Sequence, residues 1–204
     1  MSANRPYIIG LTGGIGTGKS EAAKFLASLG AVHLDADAIS HALTAPGGEA
    51  LEPIRELFGD EMMHDDGTLN REALSQIVFS DPARRRELEG ILHPRIQRDI
   101  MRGIDRAAEE GAKVVILDVP LLFETGMDAL CDETWVLFAD EETQVARVMM
   151  RDHIDREQAE ARIQSQMPAE EKAKLATQVI PTERPMEKTH AELAALYQQV
   201  LKKL

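Results

Sequence analysis

The chain has 204 residues, 44% of them hydrophobic and 28% charged, which suits one domain with a buried core and room for an insertion. Its 23 Lys and Arg against 35 Asp and Glu leave a net charge of −12, which argues against nonspecific binding to nucleic acid or to an anionic membrane but allows a local basic pocket for a phosphorylated ligand. The lone cysteine, Cys131, excludes an intrachain disulfide framework and reads as a small buried hydrophobe, and no apolar run approaches the ~18 residues of a membrane helix.

Arg5 alone precedes a short apolar stretch that runs into glycines, so the N-terminus does not read as a signal peptide and a cytoplasmic location is expected. That stretch, Tyr7-Ile8-Ile9-Gly10-Leu11-Thr12, reads as a strand buried on both faces. A helix from Lys19 to Leu29 follows and is stopped by Gly30, and Val32-His33-Leu34 gives a second short strand that runs into Asp35-Ala36-Asp37. Leu51, Ile54, Leu57 and Phe58 have helical spacing, closed by Gly59. Between Asn70 and Gly111 nothing resembles a strand: Leu74, Ile77 and Val78 mark one helix, Pro82 opens another, and Pro94 begins a long one. Val114 to Val119 and Thr134 to Phe138 are buried strands. Charged helices follow at Glu141–Arg151, Arg156–Gln166 and Pro168–Leu175, and Leu193, Leu196, Val200 and Leu204 stripe a last one. Strands alternating with helices predict an α/β fold with a parallel sheet flanked by helices and a ligand site at the strand C-terminal ends.

Gly13-Gly14-Ile15-Gly16-Thr17-Gly18-Lys19-Ser20 fits the pattern G-x-x-x-x-G-K-[ST] and lies between a predicted strand and a predicted helix. There, backbone N–H groups and the helix N-terminus face an anion, and the glycines permit positive φ and close approach to phosphate. Lys19 is expected to be solvated and to reach the β and γ phosphates, with the Ser20 hydroxyl ligating Mg²⁺. The alternative is a glycine-rich turn with a capping serine.

Asp35 and Asp37 are two apart at a strand end, so both side chains share a face while the chain stays extended. Phosphoryl transfer needs one carboxylate near Mg²⁺ and one to accept the proton of the attacking hydroxyl. Asp35 suits the first role, through a metal-bound water, and Asp37 the second, although the pair also reads as a solvated turn and helix cap. Asp118 resembles a Walker-B aspartate. Arg147, Arg151 and Arg162 lie on consecutive polar helices able to close over ATP, where guanidinium groups grip phosphate oxygens. His93-Pro94 starts a helix, where the histidine caps, packs or touches a substrate. His64-Asp65-Asp66 reads as a polar loop, so no structural metal site is expected.

These residues together resemble the dephospho-coenzyme A kinase family. The resemblance rests on Gly10 to Ser20, Leu34-Asp35-Ala36-Asp37, Leu69-Asn70-Arg71-Glu72-Ala73-Leu74, Val78-Phe79, Ile91-Leu92-His93-Pro94 and Asp118-Val119-Pro120-Leu121-Leu122-Phe123-Glu124, with Gln144, Arg147, Arg162 and Gln166 beyond. It implies a single P-loop kinase domain over residues 1–204, with a helical acceptor-binding insertion at about 60–112 and a mobile helical lid at about 147–176. The implied reaction is ATP-dependent phosphorylation of the ribose 3′-hydroxyl of dephospho-coenzyme A. Another small hydroxylated or nucleotide acceptor is the nearest alternative, and a GTPase-like switch would require a guanine-reading Asn-Lys-x-Asp segment that the chain lacks.

By motif position Asp37 is the base, Lys19 and Arg147 hold phosphates beside Gly13–Ser20 and Arg162, and Arg71, His93 and Pro120, Leu121, Leu122 and Glu124 lie on the acceptor side. The expected partners are ATP with Mg²⁺ and dephospho-coenzyme A, and the expected state is a monomer or weak homo-oligomer. The chain departs from the family pattern at Glu21, at His41 and over Thr177–Glu183.

Overall fold

In the computed structural model, which describes residues 5–204, the first apolar run is strand β1 (Tyr7–Gly13). The preceding residues 1–4, part of the N-terminus weighed above as a leader, lie outside the described residues. The other strands are β2 (Val32–Asp35), β3 (Val114–Asp118), β4 (Glu133–Phe138) and β5 (Gln178–Pro181). They form one sheet in the order β2-β3-β1-β4-β5. The β1–β3, β1–β4 and β4–β5 pairings are parallel, as alternating strands and helices predict. β1 is central, so the turn that leaves it opens between its two neighbours, where an open α/β sheet binds its ligand.

Among the described residues the helices are α1 (Lys19–Ser28), α2 (Ala36–Leu43), α3 (Leu51–Phe58), α4 (Arg71–Ser80), α5 (Pro82–Glu109), α6 (Glu141–Asp152), α7 (Arg156–Gln164), α8 (Ala169–Leu175) and α9 (Met186–Lys203). The chain divides into two compact units, one formed by the described part of Met1–Leu34 with Ile104–Leu204, the other by Asp35–Gly103. None of these helices is long and apolar enough to cross a membrane.

The first unit is built on alternation within the strands. Ile9 and Leu11 of β1, Val114 and Ile116 of β3, and Trp135 and Leu137 of β4 pack with Ala22, Ala23 and Leu26 of α1 and with Leu193, Tyr197 and Val200 of α9. Toward the other face, Gly10 leaves room for its neighbours: a Cβ there would lie 2.6 Å from Cys131 Sγ and 2.8 Å from Leu122 Cδ2. A smaller cluster of Val145, Val148 and Ala159 joins α6 to α7, with Ile15 of the first turn packed on it.

In the second unit two expectations are corrected. α2 begins directly after β2 because the Asp35 carboxylate accepts hydrogen bonds from the backbone N–H groups of Asp37 and Ala38, an N-cap that ends the extended chain. Asp35 and Asp37 therefore do not share a strand face. Pro94 does not begin a helix but lies inside α5. An interior proline removes one backbone hydrogen bond at a cost of about 3 kcal/mol. Pro94 is exposed, and the buried side chains of Ile96 and Ile100 contribute roughly 1.5–3 kcal/mol each, so the helix continues through it.

Candidate active site

The Gly13–Ser20 segment leaves β1 and enters α1, and each glycine that shapes it has a local reason. Gly16 and Gly18 have φ of 83° and 84°, in the left-handed region that a Cβ disfavours. At Gly13 a Cβ would stand 2.6 Å from Thr17 Oγ1 and 2.7 Å from the Leu137 carbonyl oxygen, and at Gly14 it would overlap Gln144 Oε1. The turn is tightened by Thr17, whose N–H and hydroxyl both donate to the Gly14 carbonyl, at 3.3 and 2.8 Å. No side chain caps the start of α1, where the Glu21 and Ala22 N–H groups donate to the Gly18 carbonyl at 3.1 and 3.2 Å, and a helix N-terminus of this kind favours an anion.

Lys19 is not solvated as expected. Its ammonium pairs with Asp118 Oδ1, and the two side chains are only 13% and 3% exposed. Parallel pairing sets Leu11 of β1 opposite Asp118 of β3, which brings the strand-end carboxylate to the mouth of the turn. The other oxygen, Oδ2, meets His33 Nε2 at 3.2 Å. Burial by itself pushes the Asp118 carboxyl up, but the His33 hydrogen bond and the Lys19 charge outweigh it and hold the group below its ordinary value.

Arg147 of α6 is half-buried and donates from Nη1 to the Gly16 carbonyl at 3.1 Å and to Thr182 Oγ1 at 3.1 Å, and from Nη2 to the Thr182 carbonyl at 2.6 Å. It thus ties the phosphate loop to the chain leaving β5. Gln166 Oε1 accepts the Ile15 N–H at 3.2 Å. Arg162 is exposed and donates to Asp152 Oδ2 at 2.7 Å, the carboxylate that Arg151 also grips.

The segment after β3 is anchored from both ends. The Pro120 carbonyl accepts from Thr12 Oγ1 at 3.0 Å and from Lys172 Nζ at 2.6 Å. Leu122 is fully buried, Leu121 is exposed, and Glu124 Oε1 accepts the Met167 N–H at 3.1 Å. All these groups belong to the first unit. In the second unit Asp37 lies exposed in the first turn of α2, His93 is half-buried on α5, and Arg71 donates to Thr44 Oγ1 at 2.7 Å. A pocket of about 230 Å³ there is lined by Thr44, Ile54, Arg71, Leu74, Val78 and Leu92, apolar walls with a hydroxyl and a guanidinium at hand.

Sequence reasoning missed His33, Thr182 and Lys172. The first two sit in short strand-end segments with no motif. Lys172 lies in the run Glu170-Glu171-Lys172-Ala173-Lys174, which reads as a solvated face, and its only signal is the three-residue step from the buried Ala169.

The sequence profile of the dephospho-CoA kinase family matches residues 7–187. A protein of Symbiobacterium thermophilum named dephospho-CoA kinase is 45% identical over 190 residues, covering 93% of this chain and 80% of that protein. Among solved structures, TT1252 from Thermus thermophilus superposes with a TM-score of 0.84 at 38% identity, covering 96% of this chain and 98% of its own. Dephospho-CoA kinase from Campylobacter jejuni superposes with a TM-score of 0.72 at 28% identity over the same shares.

Proposed function

Because the chain belongs to the dephospho-CoA kinase family, we propose that it transfers the γ-phosphoryl group of ATP to the ribose 3′-hydroxyl of dephospho-coenzyme A, giving coenzyme A and ADP. The observation that carries this reading is the glycine turn with Lys19 set against Asp118, at the head of the family-specific segment Asp118–Glu124.

Phosphoryl transfer leaves the protein chiefly positioning and charge to supply. The backbone N–H groups of Gly13–Ser20 cradle the phosphates, and Lys19 exchanges part of its bond to Asp118 for the β and γ oxygens. Arg147 adds a second cation beside Gly16, and Arg162, on the helical lid of residues 147–176, adds a third on closure. Arg71, His93 and Pro120 to Glu124 hold the acceptor, together with the insertion of residues 60–112. The 3′-oxygen forms a bond to the γ-phosphorus as the bond to the bridging oxygen breaks, and its proton passes to the Asp37 carboxylate.

Ser20, exposed in the first turn of α1, offers a hydroxyl, and Asp35 offers carboxylate oxygen. Hard oxygen donors of this kind fit Mg²⁺. Both cap bonds of Asp35 use Oδ1, and its carboxylate would hold the metal through a water. Mg²⁺ bound with ATP would neutralise charge on the β and γ phosphates.

Kinetics of Asp37→Asn and Asp35→Asn test the assignment, since asparagine keeps the shape of each residue and also serves as an N-cap. Asp37→Asn is expected to slow transfer to dephospho-coenzyme A by roughly 10²–10⁴-fold with ATP binding nearly unchanged. Asp35→Asn is expected to raise the Mg²⁺ concentration for half-maximal rate. Normal turnover of Asp37→Asn would remove it as the base.

A further inference from the structure

Lys172 has no exposed surface. Lysines are almost never fully buried unless paired, because taking an ammonium from water costs several kcal/mol. An unbranched apolar side chain of similar length would fill the same volume without that cost, so the charge calls for a reason beyond packing. Its partners supply one. Nζ donates to the Pro120 carbonyl at 2.6 Å and pairs with Glu124 Oε1 at 3.0 Å, so a single ammonium grips both ends of one five-residue segment.

Each partner is bound a second time. The Pro120 carbonyl also accepts from Thr12, the residue before the phosphate loop, and Glu124 Oε1 also accepts the backbone N–H of Met167, just before α8. Lys172 therefore closes a ring of bonds through the end of β1, the chain leaving β3 and the entry to α8. Burial chiefly lowers its proton affinity; the Glu124 hydrogen bond and charge oppose this, and the positive charge of Lys19 adds to the lowering.

We propose that Lys172 is a positioning residue for the acceptor: it fixes Pro120–Glu124 against Thr12 and Met167, so that the acceptor-side segment keeps one geometry beside the phosphate loop. This rests on the reading that Pro120–Glu124 faces dephospho-coenzyme A.

The test is steady-state kinetics of the full chain with ATP, Mg²⁺ and dephospho-coenzyme A for Lys172→Met, Lys172→Arg and Lys172→Gln, with folding checked by circular dichroism. Loss of a charge-assisted hydrogen bond predicts that Lys172→Met raises KM for the acceptor by about tenfold or more, while KM for ATP stays within about twofold. Lys172→Arg is expected to restore most of the loss, and backbone amides of residues 121–127 should exchange faster in Lys172→Met without any acceptor. Should Lys172→Met fail to fold, Lys172→Gln, which keeps a polar donor without the charge, carries the test through the same selective rise. A wild-type acceptor KM in either folded variant, or parallel rises for ATP and acceptor, overturns the proposal. A wild-type chain that leaves dephospho-coenzyme A untouched refutes the functional reading instead, and the exchange measurement still reports on the ring of bonds.

Discussion

Lys19 and Asp118 are each other's counter-charge, and removing one leaves the other buried. Lys19→Ala is therefore expected to abolish turnover and also to destabilise the first unit by about 3–5 kcal/mol, the usual cost of breaking a buried pair. Urea unfolding of Lys19→Ala and of Lys19→Ala with Asp118→Asn checks this, since the second change should recover part of the loss. The sign of the acid response follows from the lowered pKa of Asp118. A carboxyl depressed in the folded state contributes stability that is complete above the unfolded value, near 3.9, and is lost as pH falls through the folded value. Asp118→Asn should accordingly flatten the loss of stability at acid pH, and an unchanged acid profile would show that the pair contributes little. The loop motif was legible in the sequence; the pairing was not, because Asp118 lies 99 positions from Lys19 and only the β1–β3 register joins them.

The polar helices α6 and α7 carry two arginines that look alike in sequence and differ in what they touch. Arg147 makes three hydrogen bonds to the phosphate loop and Thr182, whereas Arg162 makes an exposed ion pair with Asp152. Exposed pairs contribute at most about 1 kcal/mol. Arg162→Ala is thus expected to lower kcat with little change in Tm, and Arg147→Ala to lower both. Thermal melts alongside steady-state rates separate them, and an equal loss of Tm in the two variants would contradict the distinction.

Four of the five described strands were legible as apolar runs, since Val114 to Asp118 is buried on both faces, whereas the short β5 carries no such run. Two helices were not legible. α2 depends on the side-chain cap of Asp35, a reading the sequence offered only as the alternative to a pair of strand-end acids, and α5 overrides Pro94 through buried isoleucines that propensity does not weigh. β5 lies where the family pattern is lost, and its Ile180 is nevertheless buried in the core of the sheet.

On the proposed reading a chain of net charge −12 handles two anionic substrates, with Lys19 and Arg147 as the cations that would hold their phosphates. The sheet order places the glycine turn between β3 and β4, and the family match extends from Tyr7 to Glu187, across both compact units. The same loop and cations would serve a kinase for another small hydroxylated or nucleotide acceptor, so the acceptor is what separates the two readings. The direct measurement is to incubate the purified chain with ATP, Mg²⁺ and a panel of hydroxylated acceptors including dephospho-coenzyme A, and to locate the new phosphate by mass spectrometry and ³¹P NMR. Rapid ADP release with dephospho-coenzyme A and a single product phosphorylated at the ribose 3′-oxygen are expected. Preference for another acceptor, or phosphate at a different position, would contradict the proposed function.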